Sequence, residues 1–236
     1  MSVRVPVSPI EVSPQPNGSN GAVPFGFSDN DGFALYAALD ALGRSQGGNG
    51  ARLVSWPFDP RLSSAADGPA NMSTGRLMLR PQLVRGGLRI DGVAYILVTA
   101  GNFTPVNSNQ IAAYTYDGTQ MNRQAQCASD PTIWSGAVGF RIKAFNAAYT
   151  PPTDMLLWAA GLYNASAAVT VPQILMHQVQ TTGAKNLGLI TGGTAGDSMA
   201  VDGAAGGSAN MPATIANATL DNTNTNLHWL AFYHLY

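Results

Sequence analysis

The final ten residues, Leu227-His228-Trp229-Leu230-Ala231-Phe232-Tyr233-His234-Leu235-Tyr236, do not suit an ordinary half-wetted strand. In an extended chain, successive side chains point to opposite faces. Leu227, Trp229, Ala231, Tyr233 and Leu235 then share one face, and His228, Leu230, Phe232, His234 and Tyr236 the other. Large apolar or aromatic groups on both sides predict a strand buried twice. One face is expected in the domain core and the other against a neighbouring subunit. His228, Leu230, Phe232, His234 and Tyr236 are therefore the expected oligomer contact.

Composition agrees with strands. Charged residues make up 11% of the chain, against about 25% in an average domain. Glu11 is the sole glutamate, and Lys143 and Lys185 are the sole lysines. Helical proteins draw heavily on both types. The 26 glycines and 15 prolines favour turns. The fold class expected is all-β. A net charge of −1 gives no electrostatic case for nucleic acid or an anionic membrane. Few surface charges mean weak self-repulsion, which suits a protein packed against partners. Cys127 is the one cysteine, so no internal disulfide is expected, and it reads as an inert packing residue. Met1-Ser-Val-Arg-Val-Pro does not resemble a secretory signal. No apolar run is long enough to predict membrane insertion. Asn-x-Ser/Thr sequons at Asn17, Asn71, Asn102, Asn164 and Asn217 follow from an Asn-, Ser- and Thr-rich composition.

Residues 1–31 carry Pro6, Pro9, Pro14, Pro16 and Pro24 among Gly, Ser and Asn. Such a segment cannot bury enough apolar surface to fold alone. It reads as an extended arm lying along another protein and anchoring the chain in an assembly. A short helix is expected over 32–46. Asp31 suits its N-cap, and Leu35, Leu39 and Leu42 share a face. That face packs either on an oligomer axis or on the chain's own β domain. Residues 47–73 read as a linker. From residue 74 short strand-like segments recur, at 75–84, 92–99, 110–116, 120–124, 136–145, 155–163, 171–178, 214–220 and 227–236. Asp117-Gly118 between Tyr116 and Thr119 is a hairpin signal. Strands so punctuated predict a jelly-roll-like antiparallel β-sandwich over 74–236, with a Gly- and Ala-rich surface insertion at 181–212.

The order of these segments has a recognisable cadence. It runs through Gly75-Arg76-Leu77-Met78-Leu79-Arg80 and Val93-Ala94-Tyr95-Ile96-Leu97-Val98-Thr99-Ala100-Gly101 to Asn109-Gln110-Ile111-Ala112-Ala113-Tyr114-Thr115-Tyr116-Asp117-Gly118-Thr119. Then come Trp134, Phe140 to Phe145, Tyr149-Thr150-Pro151 and Leu156-Leu157-Trp158-Ala159-Ala160-Gly161-Leu162-Tyr163-Asn164. Over about residues 74–180 this resembles the terminal β-sandwich domains of tailed-bacteriophage virion proteins: minor tail, tail-tip and fibre proteins. The resemblance implies a non-enzymatic structural component of the virion. It would be homotrimeric, contacting other virion proteins through its arm and host-surface carbohydrate through the sandwich. A head decoration protein is the alternative within that class. The chain departs from a fibre in lacking a long stalk and in carrying the 181–212 insertion.

Five sets of residues bear on chemistry. Gly196-Asp197-Ser198 resembles the nucleophile motif of SGNH-type esterases, but the strand and helix that should flank Ser198 are missing from the pattern. An esterase using Ser198 is the reading from another class. His228 and His234 are six positions apart, about 20 Å along a strand, too far for one metal ion. No metal and no cofactor are expected. With one glutamate, and aspartates placed in turns, paired carboxylates for glycoside hydrolysis are a weak motif. Arg76, Arg80, Arg85 and Arg89 read as solvated or interface-paired. Trp134 and Tyr149, in loop-like contexts, are the candidates for stacking against a sugar.

Overall fold

A computed structural model describes residues 51–55, 69–178, 201–203, 208–220 and 226–235. The principal strands among them are β1 (Arg52–Ser55), β3 (Leu77–Val84), β4 (Ile90–Thr99), β6 (Gln110–Tyr116), β7 (Gln120–Gln126), β8 (Gly139–Tyr149), β9 (Met155–Leu162) and β15 (Leu230–His234). Their pairing is nested. The first pairs with the last, β1 with β15, and the second with the seventh, β3 with β9. The third pairs with the sixth, β4 with β8, and the fourth with the fifth, β6 with β7. Every pair is antiparallel. A long hairpin folded back on itself in this way is the jelly roll, so the expected fold class holds.

One sheet sets β1, β15, β4 and β8 side by side. It is extended by β2 (Pro69–Asn71), β11 (Gln173–Gln178) and β14 (Asn226–His228). The other sets β3, β9, β6 and β7 side by side, with β12 (Val201–Gly203) and β13 (Thr214–Ala216) at its edges. A separate ribbon pairs β5 (Asn102–Pro105) with β10 (Ala165–Thr170). The turn Asp117-Gly118 closes β6 onto β7 as its sequence predicts. Gly118 takes a positive φ of 100°, and the Asp117 carboxylate accepts the Thr119 and Gln120 N–H groups.

Between the sheets lies a core that includes Met78, Val93, Tyr95, Leu97, Ile111, Leu157, Leu230 and Phe232. Each sheet is also apolar on its outer face. Leu77, Leu79, Tyr114, Trp158 and Leu162 form one outer layer with Met211, Ile215 and Leu220 from the chain after β12. Leu53, Ala94, Phe140, Trp229, Ala231 and Tyr233 form the other.

Four expectations change. The terminal strand is dry on both sides, but within one protomer: Leu230 and Phe232 are fully buried against the opposite sheet. They are core residues rather than a subunit contact. The sandwich begins at β1, so residues 52–55 belong to it rather than to a 47–73 linker. The insertion returns to the body before its expected end, because β12 pairs with β3 and Ser208 N–H donates to the Gly75 carbonyl. Arg80 is neither solvated nor on an outer surface; it is fully buried on the inner face of β3. The arm at 1–31, the helix with Leu35, Leu39 and Leu42, Ser198 and Tyr236 lie outside the described residues.

Candidate interaction surface

The sandwich has two unlike ends. At the turn end, short connections join β3 to β4, β6 to β7 and β8 to β9. Asp91 organises this end. Its carboxylate accepts the Leu235 N–H at 2.8 Å and His234 Nδ1–H at 2.9 Å, and pairs with Arg89 at 2.8 Å. Burial pushes the carboxyl pKa up, but these donors outweigh it and hold the group below its ordinary value. His234 is thus a clamp on the last strand. Arg52 pairs with His234 in register, so chain entry into the sandwich and its last strand lie together here.

At the loop end are the connections 100–109, 127–138 and the chain after β9. Two buried asparagines lock it. The Asn109 side chain accepts the Asn164 N–H at 2.9 Å and donates to the Asn164 carbonyl at 3.0 Å. The Asn164 amide donates to Ser108 O at 2.8 Å and Ser208 O at 3.0 Å. One side chain therefore ties β9, the β5–β6 connection and the 208–213 segment into one rim. The sequence assigns neither residue a role: both lie in the strand cadence, Asn164 also in a sequon, and the buried amide is used for structure.

Projecting from this rim is the β5–β10 ribbon. Ser166, Ala167, Ala168 and Val169 are exposed, and Val169 and Val138 expose 86% and 58% of their surface. No Lys, Arg, Asp or Glu lies between Asp91 and Asp117 or between Asp154 and Lys185. Among the described residues each ribbon strand pairs as a strand only with the other, and the Thr74 hydroxyl caps one end of β10, accepting the Ala165 N–H and donating to its carbonyl. Proteins usually protect strand edges with charge, proline or a bulge. Here no charge lies on the ribbon, and Pro105, two register shifts in the pairing and the Thr74 cap interrupt its edges.

Trp134 and Tyr149 are not brought together. Asp130 accepts the Thr132 N–H and O–H, starting a one-turn helix, α1 (Thr132–Ser135), that swings Trp134 inward. The indole is fully buried, donates to the Leu162 carbonyl at 2.8 Å, and lies 5.2 Å from the Tyr95 ring. Trp134 offers no face to a sugar. Tyr149 is at the turn end, half-buried, with its hydroxyl directed at Met155 Sδ, 3.7 Å away. Cys127 is buried, its sulfur accepts the Ile111 N–H, and burial pushes its thiol pKa up, which makes it unreactive. His228 is buried beside Arg80. Among the described residues no three His, Cys, Asp or Glu side chains are grouped to hold a metal ion, and no helix is long and apolar enough to cross a membrane.

No protein-family model matches this chain, and no curated protein matches it.

Proposed function

We propose that the chain is a structural, non-enzymatic subunit of a tailed-bacteriophage virion. It works as a homotrimer, anchored by its N-terminal arm and displaying its loop end toward the host surface. The observation that carries this reading is the polarity of the sandwich. The chain enters at the turn end, beside His234, while the uncharged, exposed ribbon stands at the opposite end. A ten-residue strand such as β4 separates the two by about 33 Å. A chain entry at one pole and an exposed, charge-free ribbon at the other suit a domain held on a particle and presented outward. The sequence cadence over 74–180 supplies the virion class.

Loss of the Trp134 platform moves any carbohydrate contact to the rim. There Asn102, Thr104, Asn107, Ser166 and Asn210 offer amides and hydroxyls matched to the hydroxyls of a neutral glycan.

The test is the mass of the full chain by light scattering, followed by host-cell binding of fluorescently labelled protein. A trimer is expected. Val169→Asp at the ribbon is expected to keep the trimer and cut cell binding at least tenfold. A monomer at every concentration overturns the trimer, and binding unchanged in Val169→Asp overturns the ribbon as the contact.

A further inference from the structure

One corner of the sandwich is tied to the opposite sheet through a ring that can titrate. From Gln173 to Leu175, β11 is bound into its sheet by β4 and β2. From Met176 to Gln178 its described strand partner is β14, with Met176 opposite His228. The Trp229 N–H, donated to the Leu175 carbonyl at 2.8 Å, is the last bond before this three-residue flap. Across the interior stands β3, whose Arg80 donates to His228 Nδ1. Both side chains are buried, at 0% and 3% exposure. Among the described residues the other ring nitrogen, Nε2, makes no hydrogen bond. Further along β3, Gln82 ties the strand to β15 and β1 instead. It donates to the Leu230 carbonyl at 2.6 Å and accepts the Ser55 hydroxyl at 2.8 Å. Neither of those bonds titrates.

We infer that the β11–β14 flap is an acid-operated latch: a proton on His228 Nδ1 releases the flap from β3 while β1, β15 and β4 stay in place. The two states of the ring exclude each other. Nδ1 accepts from Arg80 through its lone pair, and a protonated imidazole has two donors and no acceptor. An imidazolium held there would also face the guanidinium in a dry interior, where like charges repel strongly. Arg80 and Arg76, from β3 and its approach, both oppose a proton on the ring. Neither β9 nor Leu230 to Phe232 of β15 carries a titratable group. In β11, His177 is paired with Leu227, one residue on. Asp202 of β12 is paired with Met78 on the far side of β3. A nearby acid softens the repulsion but does not restore the lone pair. Closed, the ring stays unprotonated well below its ordinary pKa, because burial and then the two arginines oppose the charge. Open, it meets water and titrates near pH 6.5. The proton therefore favours the open flap below about pH 6.5, the open-to-closed ratio rising by up to about tenfold per pH unit. A general loss of stability loosens the whole sandwich together; the latch loosens this corner first. The inference does not depend on the virion reading.

Thiol labelling of the full chain tests it. In Cys127→Ser/Met176→Cys protein the thiol sits opposite His228, at a position 9% exposed. In the parent it is Cys127, 1% exposed in the core. Both proteins are labelled with dithiodipyridine at pH 7.5 and pH 5.5, and each rate is divided by that of free cysteine at the same pH. The flap thiol is expected to label faster than Cys127 at both values, and to gain about tenfold on going to pH 5.5. Adding His228→Gln should abolish that gain. A flap thiol labelled no faster than Cys127 would mean that this corner opens only with the whole sandwich. That result, no gain at pH 5.5, or the same gain with His228→Gln, overturns the inference. Hydrogen exchange of the unsubstituted chain covers variants that fold poorly. After correction for intrinsic rates, the amides pairing β11 with β14 should exchange faster at pH 5.5 than at pH 7.5, and be less protected than those pairing β4 with β8. Equal protection of the two sets at pH 5.5, or no acceleration of the first, overturns the inference equally.

Discussion

Arg80 and His228 meet between the two sheets, with the guanidinium Nη2 donating to the imidazole Nδ1. Arg80 comes from β3 and His228 from β14, so the contact bridges opposite sheets. An acceptor nitrogen must carry no proton, and the setting keeps it so. Burial, then the charges of Arg80 and Arg76, hold the His228 pKa well below its ordinary value of about 6.5.

That contact sets a pH dependence. Unfolded, His228 takes up a proton near pH 6.5; folded, it does not. The folded state therefore binds fewer protons as pH falls below that value. The stabilisation is fully present above about pH 6.5 and is lost below it, by up to about 1.4 kcal/mol for each pH unit. Urea unfolding of the full chain between pH 7.5 and pH 5 is expected to show this slope. His228→Gln, which keeps an acceptor for Arg80 but cannot titrate, should flatten it. Equal slopes in both proteins would remove His228 as the source. Asp91 and Asp130 act in a separate, more acidic window. Their folded pKa values are lowered, so their contribution is present above about pH 4 and lost below it.

Trp134 should behave as a core residue. It fills the space beneath the β7–β8 connection and pairs its indole with the Leu162 carbonyl. Trp134→Ala is expected to cost about 3–5 kcal/mol, and Trp134→Phe about 1–3 kcal/mol, because it strands a buried acceptor. Thermal melting checks both. A Trp134→Ala protein melting within a degree of the parent would contradict the burial seen here.

Much of the fold was legible, for physical reasons that also explain the misses. Gln110–Tyr116 was bounded correctly because Asp117-Gly118 marks its end and β-formers fill it. His228 to Tyr233 is dry on both sides, as its sequence predicts, but a one-chain sequence does not say whose atoms do the covering. Here it is the second sheet on the Leu230 and Phe232 side. Arg52–Ser55 was missed because four residues between Gly-rich and Pro-rich stretches show no period, and β10 because Ala-Ser-Ala-Ala-Val-Thr lacks bulk. The Trp134 error is local. Asp130-Pro131 looks like a loop, and only the carboxylate bonds to Thr132 turn it into a helical turn that faces inward. Arg80 gave no sign at all: alternation puts it on the Met78 face, and which face is inner emerges only from Met78 and Val84 packing into the core.

Two glycines separate crowding from backbone strain. Gly92 sits between β15 and β8, where an added Cβ would press into the Lys143 carbonyl oxygen and the Tyr233 ring. Neither the carbonyl, fixed in the ladder, nor the buried ring can retreat freely. Gly92→Ala is expected to cost about 3 kcal/mol or more, at the upper end of overpacking. Gly118 has open space but a φ of 100°, so Gly118→Ala should cost about 1–2 kcal/mol through strain alone. Equal losses in the two variants, measured by chemical denaturation, would mean that the close approach at Gly92 is relieved elsewhere.

Asn164 offers a check on how the loop end is held. Its amide reaches the Ser108 and Ser208 carbonyls, and its backbone N–H is taken by Asn109. Asn164→Ala leaves the backbone exchange with Asn109 in place but removes the tie to residue 208. Two part-buried carbonyls then lose a donor, at about 1 kcal/mol for the site. Local unfolding should reach this end before the sheets. In hydrogen exchange, the Ser208 N–H, donated to Gly75, and the Ser108 N–H, donated to Ala209, are expected to exchange at least tenfold faster in the variant. The amides pairing β4 with β8 should keep their protection. Faster exchange spread evenly over both sheets would mean that Asn164 supports the whole sandwich rather than its rim.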